Sequence, residues 1–171
     1  MPFNVEIKAR CTAPEKIRKI LKQLNARFVG IDNQTDTYFN VPQGRLKLRQ
    51  GNIENNLIFY NRANTSEPKS SEVILYSSQN PALLKRILSA ALGVKVEVKK
   101  QREIYFIDNV KFHIDKVEGL GSFVEIEAQD TDGTHTEQEL WQQCNYYMQL
   151  FGIQQHQLIS FSYSDMLLEK Y

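Results

Sequence analysis

Cysteine and histidine are scarce in this sequence. Its 171 residues include two cysteines and three histidines. Cys11 and Cys144 form no CxxC pair, and His113, His135 and His156 are scattered along the chain, so neither a zinc cluster nor a histidine-based metal site is expected. Because no disulfide framework calls for an oxidising compartment, a cytoplasmic location is the simpler expectation.

Long apolar runs and a dominant charge sign are also absent. No stretch is long and apolar enough to span a bilayer, and residues 1–8 carry charge where a signal peptide needs an apolar run. The chain has 21 basic and 20 acidic residues, and a net charge of +1 gives no overall attraction to nucleic acid or to an anionic membrane. We therefore expect neither as a partner, and any bound anion must be held by locally placed charges.

The common fingerprints of nucleotide binding and acyl transfer are missing as well. The chain contains no P-loop, no GxGxxG and no GxSxG. It has no internal repeat, low-complexity tract or linker, and its 42% hydrophobic and 24% charged residues are typical of a globular protein. We therefore expect a single domain over residues 1–171.

What the chain does contain is alternation of polar and apolar residues. This alternation predicts about eight strands, mostly joined by short turns, over residues 3–11, 28–31, 34–40, 45–50, 57–62, 72–77, 94–108, 110–117 and 122–129. Residues 63–71 have no apolar period and are predicted as a loop. Since hairpin links imply antiparallel pairing, and few helices are available to cover so many strands, we expect an α+β fold built on a closed eight-stranded antiparallel β-barrel.

Helical spacing of apolar residues predicts amphipathic helices packed outside this barrel. One helix follows Thr12, a second runs from Asn80 to Gly93, a third runs from about Thr136 to Phe151, and a short one covers residues 162–170. The second helix carries a stripe that is predicted to be buried, formed by Leu83, Leu84, Ile87, Leu88 and Ala91.

The run GRLKLR at residues 44–49 carries the strongest charge pattern. In a strand, Arg45, Lys47 and Arg49 share one face because side chains alternate with period two. Three cations on one face repel each other unless an anion lies over them. Two interpretations follow: a solvated face of an antiparallel sheet, or a site that grips an anion.

Other strands carry acids in the same alternation. Glu125 and Glu127 share a face opposite Val124 and Ile126, and Glu6 lies on the polar face of the first strand. In a closed barrel these charged faces can meet inside, while the apolar faces pack outward against the helices. Such a lumen suits triphosphate chemistry, since cations bind phosphate oxygens and carboxylates bind Mg²⁺ or Mn²⁺. For the two glutamates, a solvated face stays an equal alternative.

One strand does not follow the pattern. Lys100 and Arg102 share a phase with Val96 and Val98, so the strand over 94–108 would change from apolar to basic along one face. A β-bulge near Val98 or Lys99 would re-aim the basic residues, and the sequence leaves both arrangements open.

These motifs together resemble one known family. The motifs are QTDTYF (34–39), VPQGRLKLR (41–49), KKQR (99–102), HIDKVEGLGSFVEIE (113–127) and SYSD (162–165). In this order and spacing the chain resembles the CYTH superfamily, the triphosphate tunnel metalloenzymes, and within it the class IV adenylyl cyclase-like branch.

The resemblance implies a tunnel in which basic residues grip a triphosphate and acids hold Mg²⁺ or Mn²⁺. The phosphate ligands that it implies are Arg45, Lys47, Arg49, Arg62, Lys69, Lys100 and Arg102. The metal ligands that it implies are Glu6, Glu125 and Glu127. It also assigns Asp115 as a further functional acid, and it groups Lys8, Asp115, Lys100 and Arg102 as catalytic. A homodimer is one of the assemblies expected.

Asn4 departs from the family pattern. The family has Glu-x-Glu-x-Lys where this chain reads Asn4-Val5-Glu6-Ile7-Lys8. An amide carbonyl can ligate a metal but brings no charge, so the site loses one negative charge and a second metal would bind less well. Lys111 also stands where an arginine is common in the branch, which removes bidentate geometry.

Three functions follow from the resemblance. The first is an adenylyl cyclase that converts ATP to cyclic AMP and pyrophosphate. The second is a triphosphatase acting on tripolyphosphate, thiamine triphosphate or a nucleoside triphosphate, which would use the same residues with water as the nucleophile. The third, suggested by Asn4, is a triphosphate-binding protein with little catalytic activity.

Overall fold

Eight antiparallel strands and four α-helices make up the part of the chain that the computed structural model describes, residues 3–61 and 69–169. The strands are β1 (Phe3–Arg10), β2 (Arg27–Phe39), β3 (Arg45–Gln50), β4 (Asn55–Asn61), β5 (Lys69–Ser77), β6 (Val94–Ile107), β7 (Val110–Val117) and β8 (Gly121–Asp130). The helices are α1 (Pro14–Gln23), α2 (Pro81–Leu92), α3 (Glu137–Leu150) and α4 (Tyr163–Glu169), with a 3₁₀ turn at Gln155–Gln157. The α+β class and the eight-stranded antiparallel sheet are confirmed.

The strands pair in the order β1-β5-β4-β3-β2-β6-β7-β8. In addition, β1 pairs with β8 over eight residue pairs, from Phe3–Asp130 to Arg10–Phe123, and with β5 over four pairs. Each strand therefore has a hydrogen-bonded neighbour on both sides, and the curled sheet has an inner and an outer face. None of the described helices is long and apolar enough to cross a membrane.

The outer face of β1, β7 and β8 forms the main hydrophobic core. Val5, Phe112 and Ile126 are fully buried there and pack with Leu21 of α1 and Leu140 of α3. A capping box in which Thr136 and Glu139 bond each other's backbone N–H groups starts α3. The apolar strand faces thus lie outside, beneath amphipathic helices, as the sequence predicts.

The buried stripe predicted for α2 is wrong. None of the residues of this helix is buried, and Leu83 and Ile87 are 47% and 55% exposed. The helix packs mainly on β2 and β3, so one side of its apolar stripe contacts the sheet while the other side faces outward.

Two strand boundaries also differ from the prediction. A single strand, β2, replaces the two short strands predicted over 28–31 and 34–40, because Asp32 and Asn33 continue the ladder with β6 instead of forming a turn. Likewise, β5 begins at Lys69, within the predicted loop. In both places, cross-strand pairing outweighs the local turn preference of polar residues.

No bulge lies near Val98. The β2–β6 register is continuous there, and its shifts fall instead at Phe28/Gly30 and Tyr38/Phe39. Val98, Lys100 and Arg102 are therefore all buried on the inner face. Val98 packs with Tyr163 of α4 and other apolar residues, so the inner face changes along its length from an apolar cluster beside α4 to a charged segment.

Candidate functional site

The inner face of the curled sheet surrounds a cavity of about 220 Å³. Its charged lining comes from five strands and from the β3–β4 turn. The cations that line it are Lys8, Lys47, Arg49, Lys100, Arg102 and Lys111, and the carboxylates are Glu6, Glu54, Glu125, Glu127 and Asp130. An apolar wall from β4 and β5 includes Ile58, Tyr60 and Val73.

Asp36 on β2 holds three of these cations. Its carboxylate accepts hydrogen bonds from Lys47 Nζ at 3.1 Å, from Lys100 Nζ at 2.8 Å, and from Arg49 Nε and Nη2 at 2.9 and 2.8 Å. Burial acts to raise the pKa of this carboxyl, but attraction to the three cations outweighs burial and holds the pKa well below its usual value. Asp36 alone does not balance three cations, and Glu54 beside Arg49 offsets only part of the remaining positive charge, which favours an anion beside this wall.

Arg102 on β6 is the centre of a second cluster. Its guanidinium makes a bidentate pair with Asp115 at 2.8 and 2.7 Å and also contacts Glu125 Oε1 at 2.7 Å. The hydroxyl of Tyr163 donates to Asp115 at 2.8 Å, and Lys8 Nζ lies 4.0 Å from the centre of the Tyr163 ring. Although burial opposes it, attraction to Arg102 and Lys8 keeps the pKa of Glu125 well below its usual value.

Glu54 is a cavity acid that the sequence analysis missed. It accepts from Lys111 Nζ at 2.6 Å and from Arg49 Nη1 at 3.4 Å. Burial acts to raise its pKa, but these two cations lower it to about 2. Asp32 fixes the turn that carries Glu54, because its carboxylate accepts the backbone N–H groups of residues 52–54. The local sequence does not reveal the part that Asp32 plays in this turn, since Asp32 lies 20 to 22 residues away.

The three predicted metal ligands lie on neighbouring strands. Glu6 pairs directly opposite Glu127 across β1 and β8, and Lys8 pairs opposite Glu125. Hard carboxylate oxygens on one inner face fit Mg²⁺ or Mn²⁺ chemically. Asn4 Nδ2 donates to Glu127 Oε1 at 2.5 Å, and Gln129 Nε2 donates to the same oxygen at 3.1 Å. The Asn4 amide therefore contacts the Glu127 carboxylate, and it stands at the position where the family has a glutamate.

Within 3–61 and 69–169, one group of three ligand-type side chains converges to within 4.8 Å, and it includes none of the three predicted metal ligands. It consists of Asp130, Asp132 and His135. Asp130 lines the cavity rim, whereas Asp132 is exposed and already accepts hydrogen bonds from Thr134. None of the sequence motifs includes these three residues.

Three predicted phosphate ligands are not among the described side chains that line the cavity. Arg45 is turned toward α4, where it pairs with Asp165 at 2.7 Å and donates to Ser162 Oγ. Arg62 lies outside the described residues. Lys69 is placed by its backbone, which pairs with Glu6 across β1 and β5. Of the GRLKLR cations, therefore, Lys47 and Arg49 line the cavity and Arg45 anchors the C-terminal helix.

The buried ammonium of Lys100 leads us to expect that triphosphate binding depends on pH. Burial lowers its pKa to about 7, although Asp36 acts to raise it. If Lys100 is a phosphate ligand, as the resemblance implies, its ammonium binds phosphate below this pH. Above it the group loses its proton, so binding of a triphosphate would first have to restore that proton. We expect the affinity for tripolyphosphate, followed by calorimetry from pH 6 to 9, to fall above pH 7 by up to about tenfold per pH unit. Lys100→Arg, which stays charged, should flatten the profile. The same slope in both proteins would contradict the assignment.

Comparison with known proteins gives a consistent result. The CYTH domain family matches residues 2–149. A Methanocaldococcus jannaschii protein named "Putative adenylate cyclase" is 29% identical over 142 residues, which cover 76% of this chain and 79% of that protein. Two solved structures share the fold. The PH1012 protein of Pyrococcus horikoshii has a TM-score of 0.81 and 23% identity, and the match covers 95% of this chain and 98% of that one. A Vibrio parahaemolyticus protein described as a putative adenylate cyclase has a TM-score of 0.73 and 21% identity, and the match covers 97% of this chain and 98% of that one. The chain belongs to the CYTH domain family.

Proposed function

We propose that this protein is a metal-dependent enzyme that acts on triphosphates and has a closed tunnel as its active site. The proposed activity is class IV adenylyl cyclase-like, which converts ATP to cyclic AMP and pyrophosphate. The observation that carries the proposal is the buried cluster in which Asp36 holds Lys47, Arg49 and Lys100. In the cyclic strand order, β2 lies four strands away from β1, so this basic cluster and Glu6 occupy opposite walls of the cavity.

The charge balance of the cavity supports a metal-bound substrate. Counting Asp36 and Asp115, which hold lining cations, the described residues bring about as many carboxylates as cations to the cavity. A triphosphate carries several negative charges, so a bare anion would leave a buried excess that a divalent cation can offset. Glu6, Glu125 and Glu127 would hold this Mg²⁺ or Mn²⁺, which would supply further positive charge to the phosphate oxygens when bound.

The protein groups have distinct roles in the proposed reaction. The bond that forms joins the ribose 3′ oxygen to the α-phosphorus, and the bond that breaks joins the α-phosphorus to the bridging oxygen that leaves with pyrophosphate. The proton of the 3′ hydroxyl is released to water. Lys47, Arg49 and Lys100 would hold the phosphates and stabilise the charge that develops on the leaving group. Arg102 would bind beside them, and Asp115, which contacts Arg102 through two oxygens, would fix its orientation.

Hydrolysis is the first alternative, since water could replace the ribose hydroxyl as the nucleophile without any change in the basic groups. Binding without turnover is the second, and the Asn4–Glu127 hydrogen bond favours it because an amide replaces a charged metal ligand. The expected homodimer stays a prediction.

One assay separates these functions. The protein is incubated with ATP, and separately with tripolyphosphate, in the presence of Mg²⁺ or Mn²⁺, and cyclic AMP, pyrophosphate and orthophosphate are measured. Cyclic AMP with pyrophosphate is the expected result. Orthophosphate without cyclic AMP would identify a triphosphatase, and ligand-dependent thermal stabilisation without turnover would identify a binding protein. Absence of both turnover and stabilisation would contradict the proposal.

Asn4→Glu tests the altered motif. The new carboxylate would replace an amide that lies 2.5 Å from Glu127 Oε1, and two like charges so close repel unless a cation lies between them. We expect the variant to be less stable than the unaltered protein without divalent metal and to gain more melting temperature when Mn²⁺ is added. An unchanged response to Mn²⁺ would place residue 4 outside the metal site.

A further inference from the structure

His113 on β7 is a buried polar side chain that has no role in the reaction proposed above. It lines the cavity and is 3% exposed. Within the part of the chain that the structure describes, neither of its ring nitrogens has a hydrogen-bond partner. Its closest acid is Glu125, whose Oε1 lies 4.0 Å from Nδ1, which is too far for a hydrogen bond. Since buried polar groups in proteins are almost always paired, this imidazole calls for a partner that the described protein groups do not supply.

The surroundings of His113 favour an oxygen of an anion as that partner. Arg102, Lys111 and Arg49 lie close enough to influence the ring electrostatically. The Glu125 oxygen nearest the ring is already held by Arg102 at 2.7 Å. A phosphate oxygen can accept from the imidazole N–H and from the neighbouring cations at the same time.

We propose that His113 is a substrate-binding residue that donates a ring N–H hydrogen bond to a phosphate oxygen of the bound triphosphate. This inference rests on the proposed function for the identity of the substrate as a triphosphate. It adds an uncharged, directional donor to a site otherwise built from ammonium and guanidinium groups. A neutral imidazole offers one donor and one acceptor in fixed directions, so it would select the position of a single phosphate oxygen rather than attract negative charge in general.

The first test uses the unaltered protein. With three histidines in the chain, ring-¹⁵N labelling gives three spin systems, which single variants such as His113→Asn assign. Tripolyphosphate with Mg²⁺ is expected to move the His113 nitrogen signals to those of one hydrogen-bonded tautomer and to leave those of exposed His156 in place. Unmoved His113 signals at saturating ligand would overturn the inference, and so would the same change produced by Mg²⁺ alone, which would identify a metal ligand.

The second test measures affinity. His113→Phe keeps a ring of similar shape without nitrogens, and its dissociation constant for tripolyphosphate with Mg²⁺ should rise by about tenfold or more, the effect of one hydrogen bond to a charged group. His113→Asn or His113→Gln, which place an amide near Nδ1 or Nε2, should recover part of the loss. His156→Phe is the matched control and should bind within about twofold of the unaltered protein.

The outcomes separate the two proposals. If the unaltered protein binds tripolyphosphate and His113→Phe binds it equally well, the role of His113 is wrong while the proposed function stands. If the unaltered protein binds neither tripolyphosphate nor ATP, both are wrong. If His113→Phe does not fold, the ¹⁵N signals of the unaltered protein decide the question.

Discussion

Replacing Arg102 by methionine is expected to destabilise the protein by about 3–5 kcal/mol. Arg102 is 3% exposed and is the shared partner of Asp115 and Glu125. Methionine fills similar space but leaves both carboxylates buried without this cation. For a chain of this length the loss corresponds to a melting temperature lower by roughly 6–20 °C, which differential scanning calorimetry would measure.

Two further variants test whether the loss of stability comes from the charge that Arg102 brings to Asp115 and Glu125. Arg86 is exposed on α2, so Arg86→Met removes the same charge from the chain and should change stability by less than about 0.5 kcal/mol. Adding Asp115→Leu to Arg102→Met removes one of the stranded carboxylates and should restore part of the loss, because a buried ion pair can be replaced by apolar groups at little cost. Equal stability of Arg102→Met and Arg86→Met would show that Arg102 does not neutralise these acids.

Alternation was sufficient to predict which faces of the strands carry charge, because the strand period is fixed by backbone geometry. The inward placement of Lys47, Arg49, Glu125 and Glu127, and the outward core beneath α1 and α3, follow from it directly. The same rule applied to β6 without a bulge at Val98, since Val98, Lys100 and Arg102 keep one phase and the interior itself changes from apolar to charged.

Alternation could not predict which charged groups would meet. Arg45 shares its face with Lys47, yet it pairs with Asp165 of a helix 120 residues away. Asp36 lies in a motif that the sequence analysis quoted, but its role as the partner of three cations depends on the register of β2 with both β3 and β6. Such contacts are set by strand register and by the packing of distant segments, which a single sequence does not reveal.

The lack of a hydrogen-bond partner for His113 among the described residues is a second feature that the sequence could not predict. By sequence it is one of three scattered histidines, and a buried structural role would have been the ordinary interpretation. Its missing partners become visible only when the neighbours on β6 and β8, Ile104 and Glu125, are known. The side chain of Ile104 cannot form a hydrogen bond and Glu125 is turned to Arg102, so the pairing explains why the ring has no hydrogen-bond partner among the described residues.

Glu125→Ala is expected to lower turnover of ATP or tripolyphosphate by more than about 100-fold. Loss of a residue that only orients a metal ligand costs about 10–100-fold, and Glu125 is proposed to bind the metal itself. It also pairs with Arg102 and lies opposite Lys8, so its removal leaves these two cations without their shared acid. Turnover would be measured across a Mn²⁺ titration, in which excess metal should not restore the rate.

A control variant at an exposed glutamate shows whether the loss of turnover is specific to the cavity. Glu118 is exposed at the turn between β7 and β8, so Glu118→Ala removes the same charge without touching the cavity and should keep full activity. Glu125→Ala should retain tripolyphosphate binding better than turnover, because the cluster of Asp36 with its three cations lies across the cavity from β1 and is left intact. A folded Glu125→Ala protein with full turnover would refute the assignment of β8 as the metal-binding wall. An equal loss of binding and turnover would instead make Glu125 a part of the phosphate site, which would place the metal and the phosphates on the same wall.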